Sequence, residues 1–184
     1  MMNHTEEIDK TTDEFLRLFG SLDHRELNWK PDPETWSIAQ NMDHIIVLNE
    51  TYFPVFAELQ AGTYRPPWIA NLGFLASFFG KMIYNTVKPG GKMKIKTFPI
   101  WEPATSEVPE GILTRFQKHQ SALKQQIEAM AEFANKGTII SSPANRFIVY
   151  RLNTAFDIIV SHEQRHLKQA REVLALLGTK TGRP

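Results

Sequence analysis

Two histidines four residues apart, His162 and His166, are the clearest chemical signal in the sequence. On a helix, residues at this spacing lie one turn apart on the same face, so both imidazoles can reach a single ion. Zinc, nickel and related divalent ions bind neutral imidazole, but two nitrogens seldom hold an ion firmly. The same spacing occurs on exposed helix faces, so by itself it supports half a metal site and a solvated pair about equally.

His44 is the natural third ligand for such a site. It lies beside the apolar run Ile45–Leu48, and a histidine facing inward there needs a polar partner or an ion to offset its desolvation. The chain contains no cysteine, so any metal must be held by His, Asp or Glu. The sequence therefore predicts that His44, His162 and His166 bind one divalent ion. Three neutral imidazoles leave at least one coordination position open, as in catalytic sites.

Two glutamines lie one helical turn from the predicted ligands, Gln40 before His44 and Gln169 after His166. Either could hydrogen-bond to an imidazole and orient it. Each also has a simpler interpretation. Gln40 is spaced to cap a helix with Ser37, and Gln169 fits a surface position.

The remaining histidines and the nearby carboxylates are given structural interpretations. His4 is expected in a frayed terminus and His24 in a polar turn, while His119 is expected to be a packed histidine rather than a fourth ligand. A hydrolase would also need a carboxylate as general base. None of the acidic residues near the predicted ligands is clearly placed for that role: Asp43, Glu50, Asp157 and Glu163. The sequence therefore assigns no catalytic residue.

Four amphipathic helices are expected, which predicts an all-α four-helix bundle in a single domain over residues 1–184. The predicted segments run from Thr5 to Phe19, Ser37 to Leu59, Pro109 to Asn135 and Asn153 to Gly178. The second has the clearest start, because Ser37 and Gln40 are spaced as a capping box. Pro54 should kink that helix or end its regular part. Asn153 is expected to cap the fourth helix, with Gly137 and Gly178 as C-terminal stops.

Residues 62–108 connect the second and third predicted helices, a crossover too long for a bare loop in a compact domain. Its apolar stretch 69–84 has the spacing of a short helix, and 92–98 alternates lysines with apolar residues as a half-exposed strand would. The favoured interpretation is a lid packed over the bundle with solvated lysines. The alternative is an element that contacts a membrane or grips a ligand.

The formal net charge of +1 excludes a whole-molecule field that would attract nucleic acid or an anionic membrane. Neither is therefore expected as a partner. The sequence shows no signal peptide and no apolar run long enough to span a bilayer, and the absence of cysteine suits a reducing compartment. A cytoplasmic location is predicted.

Two sequence motifs resemble those of the DinB superfamily of bacterial metalloproteins. Trp36-Ser-Ile-Ala-Gln-Asn-Met-Asp-His44, preceded by Leu27-Asn-Trp-Lys-Pro31, is similar to the N-terminal signature, which leads into a helix bearing the first metal-ligating histidine. His162-Glu-Gln-Arg-His-Leu-Lys-Gln-Ala-Arg171 is similar to the C-terminal motif with the second and third ligands. The order and spacing of these motifs extend the resemblance over almost the whole chain.

The resemblance implies a four-helix bundle with a long crossover after the second helix, often as a homodimer, and a divalent ion in an open pocket. Members described as enzymes transfer groups to or from low-molecular-weight thiols such as bacillithiol, mycothiol or glutathione, or catalyse thiol-dependent isomerisation. It therefore implies a metal-dependent transferase using a small thiol and an electrophilic substrate. A non-catalytic, stress-associated protein that binds metal or a ligand, and a metal-dependent hydrolase, stay open as alternatives. Nickel and zinc are the expected metals, with iron, cobalt and manganese also able to use histidine.

Overall fold

The computed structural model describes residues 3–89 and 107–181. Its helices and strands follow one another as α1 His4–Phe19, α2 His24–Asn28, α3 Ile38–Glu50, α4 Phe53–Gln60, a 3-10 turn Trp68–Asn71, α5 Gly73–Val87, α6 Ile112–Ala129, α7 Ala131–Asn135, β1 Ile139–Ser142, β2 Asn145–Arg151 and α8 Leu152–Thr181. The predicted all-α fold is confirmed, with one small hairpin added. No helix in this described part is both long and apolar enough to cross a membrane.

Four helices, α1, α3, α6 and α8, form the bundle. Helix α8 packs against α1 and α3, and each of these packs in turn against α6, so the four helices enclose a common interior. Their apolar side chains fall into two large clusters. One is centred on Phe15, Ile45 and Phe116, and the other includes Phe56 and Phe156.

A layer of buried polar residues separates these two apolar clusters along the bundle axis. On α8, residues up to Val160 belong to one apolar cluster and residues from Leu167 onward belong to the other. Buried polar residues lie between them. The other bundle helices carry buried polar residues at the same level. Across the four helices the layer comprises Thr12, His44, Asn49, His119, Gln120, His162, Glu163 and His166. Because buried polar groups are costly without partners, this layer needs specific pairing or a bound ion.

The predicted start and interruption of the second helix are both confirmed. Ser37 Oγ accepts from the Gln40 amide at 3.0 Å, and Gln40 Oε1 accepts from the Ser37 amide at 3.0 Å, which is the capping box. Helix α3 ends at Glu50, and Pro54 lies in the first turn of α4. Proline is tolerated there because that amide would have no intrahelical acceptor.

The ends of the other two long helices differ from the prediction. Pro109 lies outside the third helix, which begins at Ile112 after Gly111 and is split at Met130 into α6 and α7. Gly137 does end it, with a φ of 72°. The role of Asn153 as a cap was wrong. Helix α8 begins one residue earlier, directly from β2, and Nδ2 of the Asn153 side chain instead donates to the Ala134 carbonyl at 3.2 Å.

Helix α8 also continues past Gly178, which is not the stop that was predicted. The hairpin β1–β2, which the sequence analysis did not predict, pairs Ile139 with Arg151 in an antiparallel register. Helix α5 packs on β2 and α8 and confirms the short helix predicted over 69–84. The predicted strand 92–98 lies outside the described residues.

Candidate metal centre

The three predicted ligands meet within the buried polar layer. His44 comes from α3, and His162 and His166 come from successive turns of α8. Their exposed fractions are 2%, 7% and 5%. The Nε2 atom of His162 lies 3.1 Å from Nε2 of His44 and 3.1 Å from Nε2 of His166. In the described part of the chain, these are the residues whose ligand atoms converge as a metal site requires.

Asn41 fixes the tautomer of His166. The Asn41 side-chain amide donates to the Ser37 carbonyl at 2.9 Å, so its oxygen faces the ring, and this Oδ1 lies 2.8 Å from His166 Nδ1. An amide oxygen can only accept, so His166 must donate from Nδ1. In the neutral ring, Nε2 therefore presents its lone pair to the other two histidines.

Hydrogen bonds between the rings cannot pair His162 Nε2 with both of its neighbours at once. A ring nitrogen has one site in the ring plane, either a proton or a lone pair, so His162 Nε2 can pair with only one of its two neighbours. A shared cation would satisfy all three lone pairs at once. Nitrogens bound tetrahedrally to zinc at about 2.0–2.1 Å lie about 3.3 Å apart, close to the spacing found here.

The electrostatics keep the imidazoles in the form that binds metal. Burial is the main cause that holds the pKa values of His162 and His166 well below the usual value for histidine, and the neighbouring histidines and Arg165 act in the same direction. Neutral imidazole is the ligand form, so at neutral pH protons compete weakly for this site.

Trp36 forms an aromatic wall against two of the three ligands. Its ring is nearly parallel to that of His166, with 5.6 Å between centroids and 14° between planes, and lies 4.8 Å from the His44 centroid. Trp36 immediately precedes the Ser37 cap, so the start of α3 fixes its position. The tryptophan therefore restricts the orientation of two imidazoles.

Glu163 belongs to the same polar layer but is turned toward other partners. Its carboxylate is fully buried and accepts from Asn49 Nδ2 at 2.8 Å and from Gln120 Nε2 at 2.9 Å. Burial raises the pKa of Glu163 to about 7, and these two hydrogen bonds oppose that rise. Glu163 is not among the residues whose ligand atoms converge at the histidine cluster.

The other three acidic residues considered from the sequence are also engaged away from the cluster. Arg115 donates to Asp43 at 2.7 Å, and Glu50 lies 3.8 Å from His119 Nδ1. Asp157 lies 2.8 Å from His4 Nε2. In the described part of the chain, no carboxylate joins the three nitrogens.

The other histidines have more structure around them than the sequence suggested. His119 is buried, with its ring stacked on Phe53 at 5.9 Å, and burial, with a smaller effect of Arg115, lowers its pKa to about 4. His4 does not fray, because it begins α1 and pairs with Asp157. His24 begins the short capped helix α2 rather than lying in a turn.

The roles proposed for the two glutamines stay predictions. Gln40 forms the capping box, which is its simpler interpretation, and Gln169 is half-buried on α8. Asn41, which sequence reasoning missed, orients a predicted ligand directly. It lies three residues before His44 and thus on the same face of α3, a spacing that could have identified it.

The family model of the DinB superfamily matches residues 7–170, a range that includes all three histidines, the whole of α3 and α6, and most of α1 and α8. No curated protein and no solved structure matches the chain.

Proposed function

The chain belongs to the DinB superfamily, and we propose that His44, His162 and His166 hold one divalent metal ion in a transferase that uses a low-molecular-weight thiol. The observation that carries this proposal is the convergence of three Nε2 atoms without a carboxylate among the described residues. Nickel or zinc is the expected ion, and iron, cobalt or manganese would also accept this ligand set.

The three histidines are neutral ligands, and neighbouring residues hold their rings in position. Such a ligand set would leave a bound ion able to activate a substrate. Three neutral imidazoles contribute no charge, so a bound divalent ion would keep its full charge and an open coordination position, favouring thiolate over thiol. Asn41 holds the His166 ring in the ligating tautomer, and Trp36 packs on two of the rings. These contacts preorganise the ligands.

In the proposed reaction the thiol sulfur attacks an electrophilic carbon of the second substrate. A sulfur–carbon bond forms, the leaving group departs with its bonding electrons, and the thiol proton passes to solvent. This chemistry needs no carboxylate base beside the nucleophile. A hydrolase would need one, and the pairing of Asp43, Glu163 and Asp157 with other residues counts against that alternative.

A non-catalytic role in binding metal or a ligand is the second candidate. The low exposure of the three histidines favours it, because a site that is more than nine-tenths buried gives substrates restricted access. A cytoplasmic location, a homodimer and a single domain over residues 1–184 remain predictions of the same kind.

Thiol-dependent turnover tests the transferase proposal. Protein purified without an affinity tag and loaded with its own metal would be assayed with bacillithiol, mycothiol and glutathione against a panel of alkyl and aryl halides. We expect turnover with one thiol that disappears in His162→Ala. His119→Ala is a matched control outside the cluster and should retain turnover. Metal-loaded protein that turns over no thiol, while still binding metal, would favour the non-catalytic alternative.

A further inference from the structure

One face of α5 leaves large apolar side chains exposed. Phe74 and Phe78 lie one turn apart on this face and are 70% and 60% exposed, and Met82 follows one turn later. Trp68, in the preceding 3-10 turn, is 69% exposed. Soluble proteins seldom expose several large aromatic residues in so short a stretch of chain, and exposed apolar surface of this kind often marks a binding site. We call these four residues the α5 face.

Contacts on the opposite side of α5 hold the helix in an orientation that points the α5 face toward solvent. A Cβ atom added to Gly80 would lie 2.9 Å from Thr154 Cγ2 and 3.3 Å from Tyr150 Cβ, so the helix approaches β2 and α8 closely. Ala76 is buried on the same side, and Arg165 donates to the Thr86 carbonyl at 2.6 Å. Rotating the helix to bury Phe74 and Phe78 would disrupt these contacts.

The chain segment that carries the α5 face has only basic charged residues. Residues 59–89 include Arg65, Lys81 and Lys88 and contain no Asp or Glu, although the whole chain has nearly equal numbers of acidic and basic residues. Lys81 lies between Phe78 and Met82 on the exposed side of the helix. A second copy packed by twofold symmetry would bring these cations together, which disfavours self-association.

An open groove beside the face adds a place for an anionic group. It has a volume of about 330 Å³ and is lined by Lys81, Arg151, Ser77, Tyr84 and Thr154, together with Asp157. One oxygen of the Asp157 carboxylate lies 2.8 Å from His4 Nε2, so this acidic side chain is held by a contact with α1. Two cations and three hydroxyl groups suit a phosphate group.

We propose that the α5 face binds the surface of an anionic membrane. Trp68, Phe74 and Phe78 enter the interface between headgroups and acyl chains, while Lys81 and Lys88 lie against lipid phosphates. Exposed aromatic residues beside lysines suit the interface of an anionic bilayer, where rings enter the headgroup region and cations meet lipid phosphates. This inference revises the expectation of no membrane partner, which came from the net charge of the whole chain.

Cosedimentation with lipid vesicles tests the proposal. We expect the full-length protein to sediment with vesicles of 70% phosphatidylcholine and 30% phosphatidylglycerol, more weakly with pure phosphatidylcholine, and less at high salt. The double variant Phe74→Ser, Phe78→Ser should bind about tenfold or more weakly, and Lys81→Gln about fivefold. Leu176→Ser, at an exposed apolar position on α8, is the matched control and should bind like wild type. Wild-type protein that stays in the supernatant at low salt would overturn the proposal.

Single-cysteine labelling separates a lipid surface from other occupants of the face. The chain has no cysteine, so Phe78→Cys and Leu176→Cys can each carry one polarity-sensitive fluorophore. We expect a blue shift with anionic vesicles at position 78 and none at position 176. A label at position 78 that is already in an apolar environment without vesicles would overturn the proposal. If the apolar environment of that label appeared only at high protein concentration, a second copy of the protein would cover the α5 face. If it did not depend on concentration, another part of the same chain would cover it.

Discussion

The two halves of the buried polar layer satisfy their groups in different ways. Around Glu163, a carboxylate meets the amides of Asn49 and Gln120, so acceptors face donors. Around His162, its Nε2 faces the Nε2 atoms of both His44 and His166 at 3.1 Å and can pair with only one of them at a time. The first half therefore provides hydrogen bonds that stabilise the fold, whereas the second provides lone pairs that a cation can use. Burial alone does not distinguish a functional histidine from a structural polar residue. The kind of atoms that face one another does: a carboxylate facing amide donors in one half, and ring nitrogens facing ring nitrogens in the other.

The largest effect on stability is expected from Glu163→Ala. It would remove the carboxylate acceptor of the Asn49 and Gln120 side-chain amides, which would keep only their longer contacts with His119 and Thr12. The expected cost is about 4 kcal/mol in the free energy of unfolding. Urea denaturation followed by circular dichroism measures this. Glu163→Gln is the control and should lose much less, because the Gln120 amide can turn its oxygen toward the new donor. Equal losses in both variants would mean that the charge, not the hydrogen-bond pairing, is what stabilises this half.

A pH-dependent loss of stability is expected from His119. Its pKa is about 4 in the folded protein and near 6.5 when unfolded, so below pH 6.5 the unfolded chain binds the proton more readily. The contribution of neutral His119 to the free energy of unfolding is fully present above pH 6.5. It falls by about 3 kcal/mol as the pH drops toward 4. Urea denaturation of wild type and His119→Gln between pH 4 and pH 7 isolates this contribution as a difference. Parallel profiles for the two proteins would contradict it.

Substitution of Asn41 should weaken metal binding and should leave the hydrogen bonds around Glu163 intact. Asn41→Ala removes the acceptor that orients His166 and should weaken metal binding by about tenfold or more, or about 1.4 kcal/mol. Competition with a chromogenic chelator measures the affinity. Asn41→Asp keeps an acceptor at Nδ1 and should bind metal like wild type. An equal loss in both variants would show that Asn41 acts through its contact with Ser37 instead.

The smallest effect is expected at the Ser37 cap. Ser37→Ala removes the acceptor for the Gln40 amide and should destabilise the protein by about 1 kcal/mol without removing a metal ligand. Thermal unfolding measures the loss, and elemental analysis checks the metal. An unchanged melting temperature would contradict the importance of the cap.

Local patterns predicted much of this architecture. The spacing of His162 and His166, the capping box at Ser37 and the effect of Pro54 all depend on residues within one or two helical turns, so sequence reasoning found them. The pairing of Glu163 with Asn49 and Gln120 depends on three different helices, and no local spacing encodes it. The start of α8 was predicted to within one residue, but its cap was not, because Leu152 follows directly from β2, where its backbone amide donates to the Thr138 carbonyl. A potential cap residue such as Asn153 is then not needed.

Metal content is the most direct test of the difference between the two halves. Protein purified without an affinity tag would be analysed by elemental analysis beside His44→Ala, His162→Ala, His166→Ala and, as the matched control, His119→Ala, with circular dichroism to confirm folding. We expect about one divalent ion per wild-type chain, sharply reduced content in each of the three variants, and unchanged content in His119→Ala. Full metal content in all three folded variants would show that these histidines do not hold the ion.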